Sequence, residues 1–285
     1  MSWWEAIFLG ALQGITEFLP ISSSGHLVLF QKMFGWDNPD NAQEWFFDGV
    51  LHFGTLVAVL IYFGKELRQG LQSVMRSNGE VAAATWPASY RDAFYLLVLV
   101  GIASVPAALA VLVKSDDIKQ SFKQPGVVAL NFILLGFVLI MTGFLKPGKI
   151  TGPQMRWYHA LAMGVAQGCA ALMRGLSRSG STLAVALLVS LEKSWAVRFS
   201  FMMSVVASLG LGASGIWKAL KDPSLHEWLT GDFLLKTIVA TLVSAIVAYL
   251  TITPLIALVK QAKLWIFGVY VWLVAASYFA WIWLA

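Results

Sequence analysis

Four ionisable side chains interrupt stretches of the chain that are otherwise apolar: Glu17, His26, Arg174 and Arg178. A charged side chain within a bilayer is costly, so such residues mark functional sites by default. A carboxylate and an imidazole can transfer protons, and guanidinium groups can hold an anion. Together these residues predict a membrane-embedded site that binds an anionic group and acts on it.

Glu17 and His26 belong to one polar motif near the start of the chain. Gln13 and Glu17 are four residues apart and share one face of the helix that leads into this motif. Pro20 ends that helix or sits in the turn just after it, and the serines at 22–24 are N-cap candidates for the next helix. The motif thus gathers a carboxylate, an amide, hydroxyl groups and an imidazole beside a helix N-terminus.

The outgoing helix of this motif carries two further reactive groups. A cap at Ser22 places Ser23 and His26 three residues apart on one helical face. Glu17 and His26 offer proton transfer there. The motif therefore predicts a nucleophile or a base set next to the bound anion.

The second motif, residues 174–182, has the same form: a turn rich in glycine and serine that opens a helix. Free N–H groups and the positive end of the helix dipole make such a turn an anion site. Arg178 adds a planar fork of donors suited to phosphate oxygens. A phosphate or diphosphate fits this motif best. Its candidate binding residues are Arg174, Ser177, Arg178, Ser179 and Thr182.

Some of these polar residues have a second interpretation. Small residues in membrane helices often serve only close packing, and this applies to Ser24, Ser179 and Ser181 taken singly. Asp48 and His52 are four residues apart near the start of an apolar segment. They either line the same cavity or form a pair at the membrane interface.

The composition assigns the site to a membrane protein. Hydrophobic residues make up 58% of the 285 positions and charged residues only 12%, so lipid must replace water around most of the surface. Thirteen Trp and seven Tyr suit two interfacial belts. The net charge of +5 forms no basic stripe with interleaved aromatic residues, which argues against a nucleic-acid partner.

Six apolar segments are long enough to span a bilayer, and two others are not. The predicted spans are about 48–64, 93–113, 126–145, 195–217, 233–258 and 264–284. The segments 2–34 and 157–192 are broken near the middle, and each half is too short to cross. Each of these two segments predicts a re-entrant helix pair, which enters and leaves the membrane on the same side.

The order of these elements predicts an internal duplication within a single membrane domain. Repeat 1 comprises residues 1–145 and repeat 2 residues 146–285, each with a re-entrant pair followed by three spans. Residues 10–14 and 164–168 align as Gly-x-x-Gln-Gly, and each stretch precedes a Ser/Gly turn. Three spans per repeat is an odd number, so the second repeat is inverted relative to the first. Inverted repeats with interrupted helices predict a central binding site.

The distribution of Lys and Arg predicts the orientation of the chain in the membrane. The loops on one side carry eleven such residues: Lys65, Arg68, Arg76, Arg91, Lys146, Lys149, Arg156, Lys193, Arg198, Lys260 and Lys263. The other side carries six or seven, since Lys236 lies just inside a span: Lys32, Lys114, Lys119, Lys123, Lys218, Lys221 and Lys236. The positive-inside rule makes the first side cytoplasmic, so the first broken pair enters from the outside.

At these residues the sequence resembles the undecaprenyl-diphosphate phosphatases of the BacA type. That family is marked by an (E/Q)xxxE motif that runs into Pro-x-Ser-Ser-x-Gly-His, which here are Gln13–Glu17 and Pro20–His26. Its second motif, P-G-x-S-R-S-x-x-T, corresponds to Arg174–Thr182. The order, spacing and repeat layout also agree, so the resemblance covers nearly the whole chain. Two departures are Arg174 in place of the motif proline and Gln13 where some members have a second carboxylate.

The resemblance implies an enzyme that hydrolyses undecaprenyl diphosphate to undecaprenyl phosphate and inorganic phosphate. The reaction would take place at the periplasmic face of the bacterial cytoplasmic membrane, where it recycles the carrier lipid for cell-wall synthesis and underlies bacitracin resistance. An all-α fold of inverted repeats, a homodimer and a divalent cation, Mg or Ca, are also implied. The repeat architecture leaves open an alternative, a polyprenyl-phosphate flippase or transporter that uses the same midplane anion site.

The resemblance also implies roles for individual residues. Glu17 would be the essential acidic residue, which assists proton transfer or holds the metal. Ser23 or His26 would be the nucleophile. The residues implied to bind the diphosphate or to support its binding are Gln13, Ser22, Arg174, Ser177, Arg178, Ser179 and Thr182.

Overall fold

A computed structural model describes residues 1–35, 42–65, 68, 90–113 and 124–284. Within these residues the chain is helical, with a single isolated β-bridge between Ile150 and Leu191. The first part contains α1 (Trp3–Thr16), α2 (Ser23–Met33), α3 (Ala42–Tyr62), α4 (Tyr90–Val113) and α5 (Pro125–Met141). The second contains α6 (Trp157–Leu172), α7 (Arg178–Leu188), α8 (Lys193–Leu220), α9 (Leu225–Trp228), α10 (Gly231–Lys260) and α11 (Trp265–Leu284).

Side-chain caps set where several of these helices begin. Ser2 and Glu5 form a reciprocal capping box at the start of α1. Glu192 accepts a hydrogen bond from the amide of Trp195 at 2.9 Å, and Thr230 caps α10 in the same way. These caps satisfy amides that have no partner inside the helix, so the polar residues between the apolar runs fix the helix boundaries.

Helix length separates the two kinds of apolar segment. Five described helices are long and apolar enough to cross a membrane: Ala42–Tyr62, Arg91–Ala110, Pro125–Phe144, Lys193–Leu220 and Gly231–Lys260. They make the chain a multi-span integral membrane protein. The predicted sixth span, 264–284, is also a helix. Its apolar part, Trp265–Trp281, is shorter than the five spans above, so the count of six stays a prediction. The third helix begins at Ala42, earlier than the predicted 48.

The helices of the two broken segments are much shorter. α1 and α6 contain 14 and 16 residues, and α2 and α7 contain 11 each. At a rise of about 1.5 Å per residue, none of them reaches the roughly 30 Å of a hydrocarbon core. The predicted breaks therefore fall where the chain interrupts its helices.

Glycine lets α1 lie directly against α10. Gly10 faces the backbone of Ala240, and a Cβ at Gly14 would come 2.7 Å from the carbonyl oxygen of Ser244. Neither position has room for a side chain, so small residues at i and i+4 set this close helix contact. α1 is thereby fixed to a long helix from the other half of the chain.

The same contact recurs between α6 and α4. Gly164 faces the backbone of Ala103, and a Cβ at Gly168 would come 3.0 Å from the carbonyl oxygen of Pro106. These two glycines are the ones that align with Gly10 and Gly14 in sequence. Each incoming half-helix therefore packs on a long helix of the opposite half through the same pair of glycines.

The main apolar core surrounds the place where the two broken segments meet. Phe18 and Ile21 from the first turn and Leu176 from the second are buried in it, together with Phe132 and Leu135 of α5. On the outside of α5, the indole of Trp272 in α11 donates to the carbonyl oxygen of Ile133 at 2.9 Å. The turns are thus held inside the protein, where irregular backbone is tolerated at membrane depth.

Candidate active site

The first turn presents its polar side chains between α1 and α2. Glu17 caps the C-terminus of α1, and the hydroxyl of Ser22 accepts from the amide of Gly25 at 3.3 Å to begin α2. Ser22 has φ of 69°, a conformation that side-chain-bearing residues rarely adopt. The cap predicted at Ser22 is confirmed, and it leaves Ser23 as the first residue of α2.

The second turn is built in the same way. The hydroxyl of Ser177 accepts from the amide of Gly180 at 3.0 Å, so Arg178 is the first residue of α7. Gly175 in this turn has φ of +94°, which glycine adopts without strain. Ser177 is the counterpart of Ser22, and Arg178 is the counterpart of Ser23.

The two turns touch each other. A Cβ at Gly25 would lie 2.9 Å from the Cα of Gly175, so the approach requires glycine at position 25. The hydroxyl of Ser179 donates to the carbonyl oxygen of Leu19 at 3.2 Å, and Glu17 accepts from Arg178 across the same gap. The N-termini of α2 and α7 therefore open toward one shared region, where their dipoles favour negative charge.

Glu17 lies at the centre of the site. It accepts hydrogen bonds from three side chains, one each on α1, α2 and α7. Its Oε1 accepts from Nη2 of Arg178 at 2.9 Å, and its Oε2 accepts from the hydroxyl of Ser23 at 2.7 Å. Nε2 of Gln13 also donates to Oε2, at 3.1 Å. A carboxyl group that only accepts hydrogen bonds is in its ionised form.

The ion pair at this centre is asymmetric in its exposure. The side chain of Glu17 is 3% exposed, whereas that of Arg178 is 22% exposed. A buried carboxylate needs such a partner, because the interior offers little other solvation. The guanidinium of Arg178 has further donors, so this partly exposed side chain can bind an oxyanion while the pair stays formed.

His52, from the middle of α3, completes the surroundings of Glu17. Its Nδ1 lies 3.0 Å from Nε2 of Gln13 and 3.4 Å from Oε1 of Glu17, and the residue is 7% exposed. Of the two interpretations that the sequence left for Asp48 and His52, His52 therefore belongs to the site. Asp48 instead accepts from Nε2 of Gln31 at 3.0 Å and ties α3 to α2.

His26 is buried beside the first turn and is held at both ring nitrogens. Nδ1 lies 2.8 Å from the carbonyl oxygen of Ser22, and Nε2 lies 3.0 Å from the hydroxyl of Tyr270 in α11. The two rings stack with an interplanar angle of 10°. Tyr270 lies some 250 residues away along the chain in an unbroken apolar run, and no sequence signal identified it.

Other predicted residues serve the framework around this centre. The hydroxyl of Thr182 is bonded to the hydroxyl of Ser200 at 2.7 Å, which joins α7 to α8. The guanidinium carbon of Arg174 lies 5.4 Å from the ring centre of Trp45 in α3. The structure therefore brings Gln13, Glu17, Ser23 and Arg178 together, uses Ser22, Ser177 and Ser179 to shape the turns, and places His26, Arg174 and Thr182 around them.

The oxygen atoms of the site suit a hard divalent cation that a phosphate group also binds. Oε1 of Gln13 is buried and has no hydrogen-bond partner among the described residues, and it belongs to the side chain next to Glu17. No described group of three or more His, Cys, Asp or Glu residues could hold a metal without help. Magnesium is commonly bound by one or two carboxylates together with substrate phosphates, so Glu17 and Gln13 fit a shared site of this kind.

The fold and the site together define a class: all-helical integral membrane proteins whose charged groups lie between two facing helix N-termini. The sequence model of the family described as "Bacitracin resistance protein BacA" matches residues 6–277. The chain belongs to this family. It is 35% identical to the undecaprenyl-diphosphatase of Caldicellulosiruptor bescii over 280 residues, which cover 97% of this chain and 96% of the relative.

Two further relatives also match this chain over nearly its full length. Undecaprenyl-diphosphatase 1 of Shouchella clausii is 35% identical, over 98% of this chain and 96% of its own. The undecaprenyl-diphosphatase of Aliivibrio salmonicida is 33% identical, over 99% of both chains. The resemblance seen in the two motifs is thus confirmed along the whole sequence.

Proposed function

We propose that this protein hydrolyses undecaprenyl diphosphate to undecaprenyl phosphate and inorganic phosphate. The observation that carries the proposal is the hydroxyl of Ser23, which donates to Glu17 at 2.7 Å while Arg178 holds the other carboxylate oxygen. This is a nucleophile paired with a base, beside a cation and two helix N-termini. The full-length relatives named as undecaprenyl-diphosphatases support the choice of substrate.

The diphosphate binds where α2 and α7 face each other. The exposed side of Arg178 and the first amides of both helices bind its oxygens, and the caps at Ser22 and Ser177 keep those amides oriented. Arg174 lies over the ring of Trp45, near the start of α3. Nζ of Lys218 contacts the same ring. These two cations attract the phosphate groups on their way to the site.

The chemistry follows from the contact between Ser23 and Glu17. Glu17 takes the hydroxyl proton as the Ser23 oxygen attacks the terminal phosphorus, and the bond from that phosphorus to the bridging oxygen breaks. Undecaprenyl phosphate leaves with the electron pair of that bond. Water then attacks the phosphoserine and passes a proton to a base of the site, and the bond from phosphorus to the Ser23 oxygen breaks. Glu17 returns its proton to that oxygen, and inorganic phosphate is released. Arg178 offsets the charge that develops on the phosphoryl oxygens.

His26 is the other nucleophile that the sequence allowed. A carbonyl oxygen can only accept, so Nδ1 of His26 carries the hydrogen bonded to Ser22, and its lone pair on Nε2 is covered by the hydroxyl of Tyr270. An attack by His26 would require Tyr270 to move first, whereas Ser23 already contacts its base. The geometry therefore favours Ser23 as the nucleophile, and His26 would need the same movement of Tyr270 to act as a second base.

A divalent cation, Mg or Ca, is part of the proposal. Glu17 and Oε1 of Gln13 would hold it together with oxygens of the diphosphate. When bound, it supplies positive charge that neutralises the diphosphate.

The proposed arrangement in the membrane consists of six spans and two re-entrant pairs in inverted repeats. The equivalent glycine contacts of α1 on α10 and of α6 on α4 support it, as do the matching caps at Ser22 and Ser177. The protein would lie in the bacterial cytoplasmic membrane with the site open to the periplasm, as the Lys and Arg distribution favours. A homodimer remains part of this proposal. Nothing in the comparisons favours the flippase or transporter, since the relatives are named as diphosphatases.

Purified protein in detergent should release phosphate from undecaprenyl diphosphate. Glu17→Ala and Arg178→Ala should each lower kcat by about 100-fold or more, because each removes charge from the reacting centre. Thr237→Val, which removes a buried hydroxyl bonded, among the described residues, only within α10, is the matched control and should keep wild-type rates. Wild-type rates in both site variants would disprove the site. An acid-stable phosphoenzyme that Ser23→Ala abolishes would identify the serine, and an acid-labile one that His26→Ala abolishes would identify the histidine instead.

A further inference from the structure

His52 contacts Glu17, the proposed proton acceptor, and Gln13, which is hydrogen-bonded to Glu17. Nε2 of Gln13 lies 3.1 Å from Oε2 of Glu17 and 3.0 Å from Nδ1 of His52. All three residues are buried, with Gln13 fully so. The short chain from His52 through Gln13 to Glu17 therefore crosses from α3 to α1 inside the protein.

Counting hydrogens fixes the direction of these bonds. The amide nitrogen of Gln13 has two hydrogens, and its two neighbours, Oε2 of Glu17 and Nδ1 of His52, take one each. Nδ1 of His52 then accepts, and the ring hydrogen lies on Nε2. The reversed amide would set its oxygen 3.1 Å from a carboxylate oxygen, which is repulsive. Glu17 thus selects the amide orientation, and His52 stabilises it by accepting the second hydrogen, which leaves Oε1 of Gln13 without a partner in the described part of the protein.

His52 itself is held by the packing of α3. The hydroxyl of Thr55 donates to its carbonyl oxygen at 2.9 Å, and Ser244 of α10 donates to the preceding carbonyl, of Leu51, at 3.4 Å. One turn earlier, Asp48 is bonded to Gln31 of α2. These contacts fix the backbone of α3 at His52, and a residue on a fixed element can place its side chain precisely.

We infer that His52 is a positioning residue for the reaction. Its Nδ1 locks the amide of Gln13, which in turn holds Oε2 of Glu17, the oxygen that accepts the proton of Ser23. The same contact leaves Oε1 of Gln13 without a described protein partner, so that it remains available for the cation that Gln13 and Glu17 would share. This inference rests on the proposed function, and it assigns to α3 a role that neither motif contains.

Substitution of His52 by asparagine or by glutamine tests which of its two ring nitrogens matters. The Oδ1 atom of an asparagine is as far from Cβ as Nδ1 is, whereas the glutamine oxygen mimics the position of Nε2. His52→Leu should lower kcat by about 100-fold with KM within twofold, since small misplacements of a reacting group cost rates of that order. His52→Asn should recover most of that loss, and His52→Gln should not. Thr142→Val, which removes a buried hydroxyl bonded, within the described ranges, only to the carbonyl of Leu139, should retain the wild-type kcat.

Thermal unfolding in detergent gives a readout that does not depend on activity. If His52 and Gln13 are bonded, the melting temperatures of His52→Leu, Gln13→Leu and the double variant should show coupling. Should wild-type protein release no phosphate while the coupling persists, the proposed function fails and the contact stands. A kcat of His52→Asn as low as that of His52→Leu, a change confined to KM, or additive melting temperatures would each overturn the role of His52. If His52→Leu does not fold, the comparison of asparagine with glutamine decides.

Discussion

At the scale of single residues, the site combines different side chains that stand at equivalent positions of the two repeats. Ser23 and Arg178 are each the first residue of a capped helix, and both reach Glu17. Gln13 aligns with Gln167, but Ala171 stands where the first copy has Glu17. One copy thus supplies the carboxylate and the hydroxyl, and the other supplies the cation. This division explains why a buried charge is tolerated, since each half neutralises the other.

Tyr270 provides a test at this scale. Its hydroxyl covers Nε2 of His26, although the residue is 40% exposed on the outside of α11. Tyr270→Phe keeps the stacked ring and removes only a hydrogen bond worth about 1 kcal/mol, so kcat should fall about fivefold with KM unchanged. Tyr278→Phe on the same helix is the control and should have no effect. Equal changes in the two variants would contradict a specific role of the Tyr270 hydroxyl.

The metal requirement depends on the charge of Gln13 and Glu17. EDTA should abolish phosphate release, and added Mg or Ca should restore it. Gln13→Glu adds a second carboxylate, so the metal concentration for half-maximal rate should fall about tenfold, because ligand charge tunes such affinities. Glu17→Gln should have the opposite effect. The measurement is phosphate release against free metal concentration, and superimposable curves for wild type and Gln13→Glu would rule out these two residues as ligands.

At the scale of helices, glycine contacts fix where the site residues stand. Gly14 follows Gln13 directly, so displacing α1 from α10 would shift the whole site. Gly14→Ala and Gly168→Ala should each lower stability by about 1–3 kcal/mol, because a methyl group has no space there. Gly210→Ala, in an open position of α8, should leave the melting temperature the same or higher. Unfolding curves in detergent measure both effects, and a neutral Gly14→Ala would refute the close contact.

The sequence was informative where the chemistry is local. Polar breaks and caps such as Ser22 and Ser177 are adjacent in sequence to the helices they begin, so both turns could be predicted from spacing. His52 and Tyr270 reach the site from other helices, and one-dimensional periodicity does not say which helices become neighbours. Arg174 shows the same limit: its place in the motif suggested phosphate, yet its side chain lies over Trp45 of α3.

At the scale of the whole molecule, the two ends of α8 mark opposite faces of the protein. The segment before α8 is bonded to Ile150 through Glu192 at 2.8 Å, so the loop that carries Lys146 lies at its start. Lys221 lies at its other end, 28 residues and about 42 Å away. The two lysines are therefore on opposite faces of the protein. The Lys and Arg distribution then predicts that Lys221 is outside and Lys146 inside.

Single cysteines test this orientation. In a Cys169→Ala background, Lys221→Cys should react with a membrane-impermeant thiol reagent on intact cells, and Lys146→Cys should react only after the cells are permeabilised. Both lysines are exposed, so neither result depends on burial. The reverse pattern would turn the first broken segment toward the cytoplasm, and the diphosphate would then have to be hydrolysed there. Labelling of both cysteines on intact cells would instead mean that the chain inserts in two orientations, which would contradict a single fixed topology.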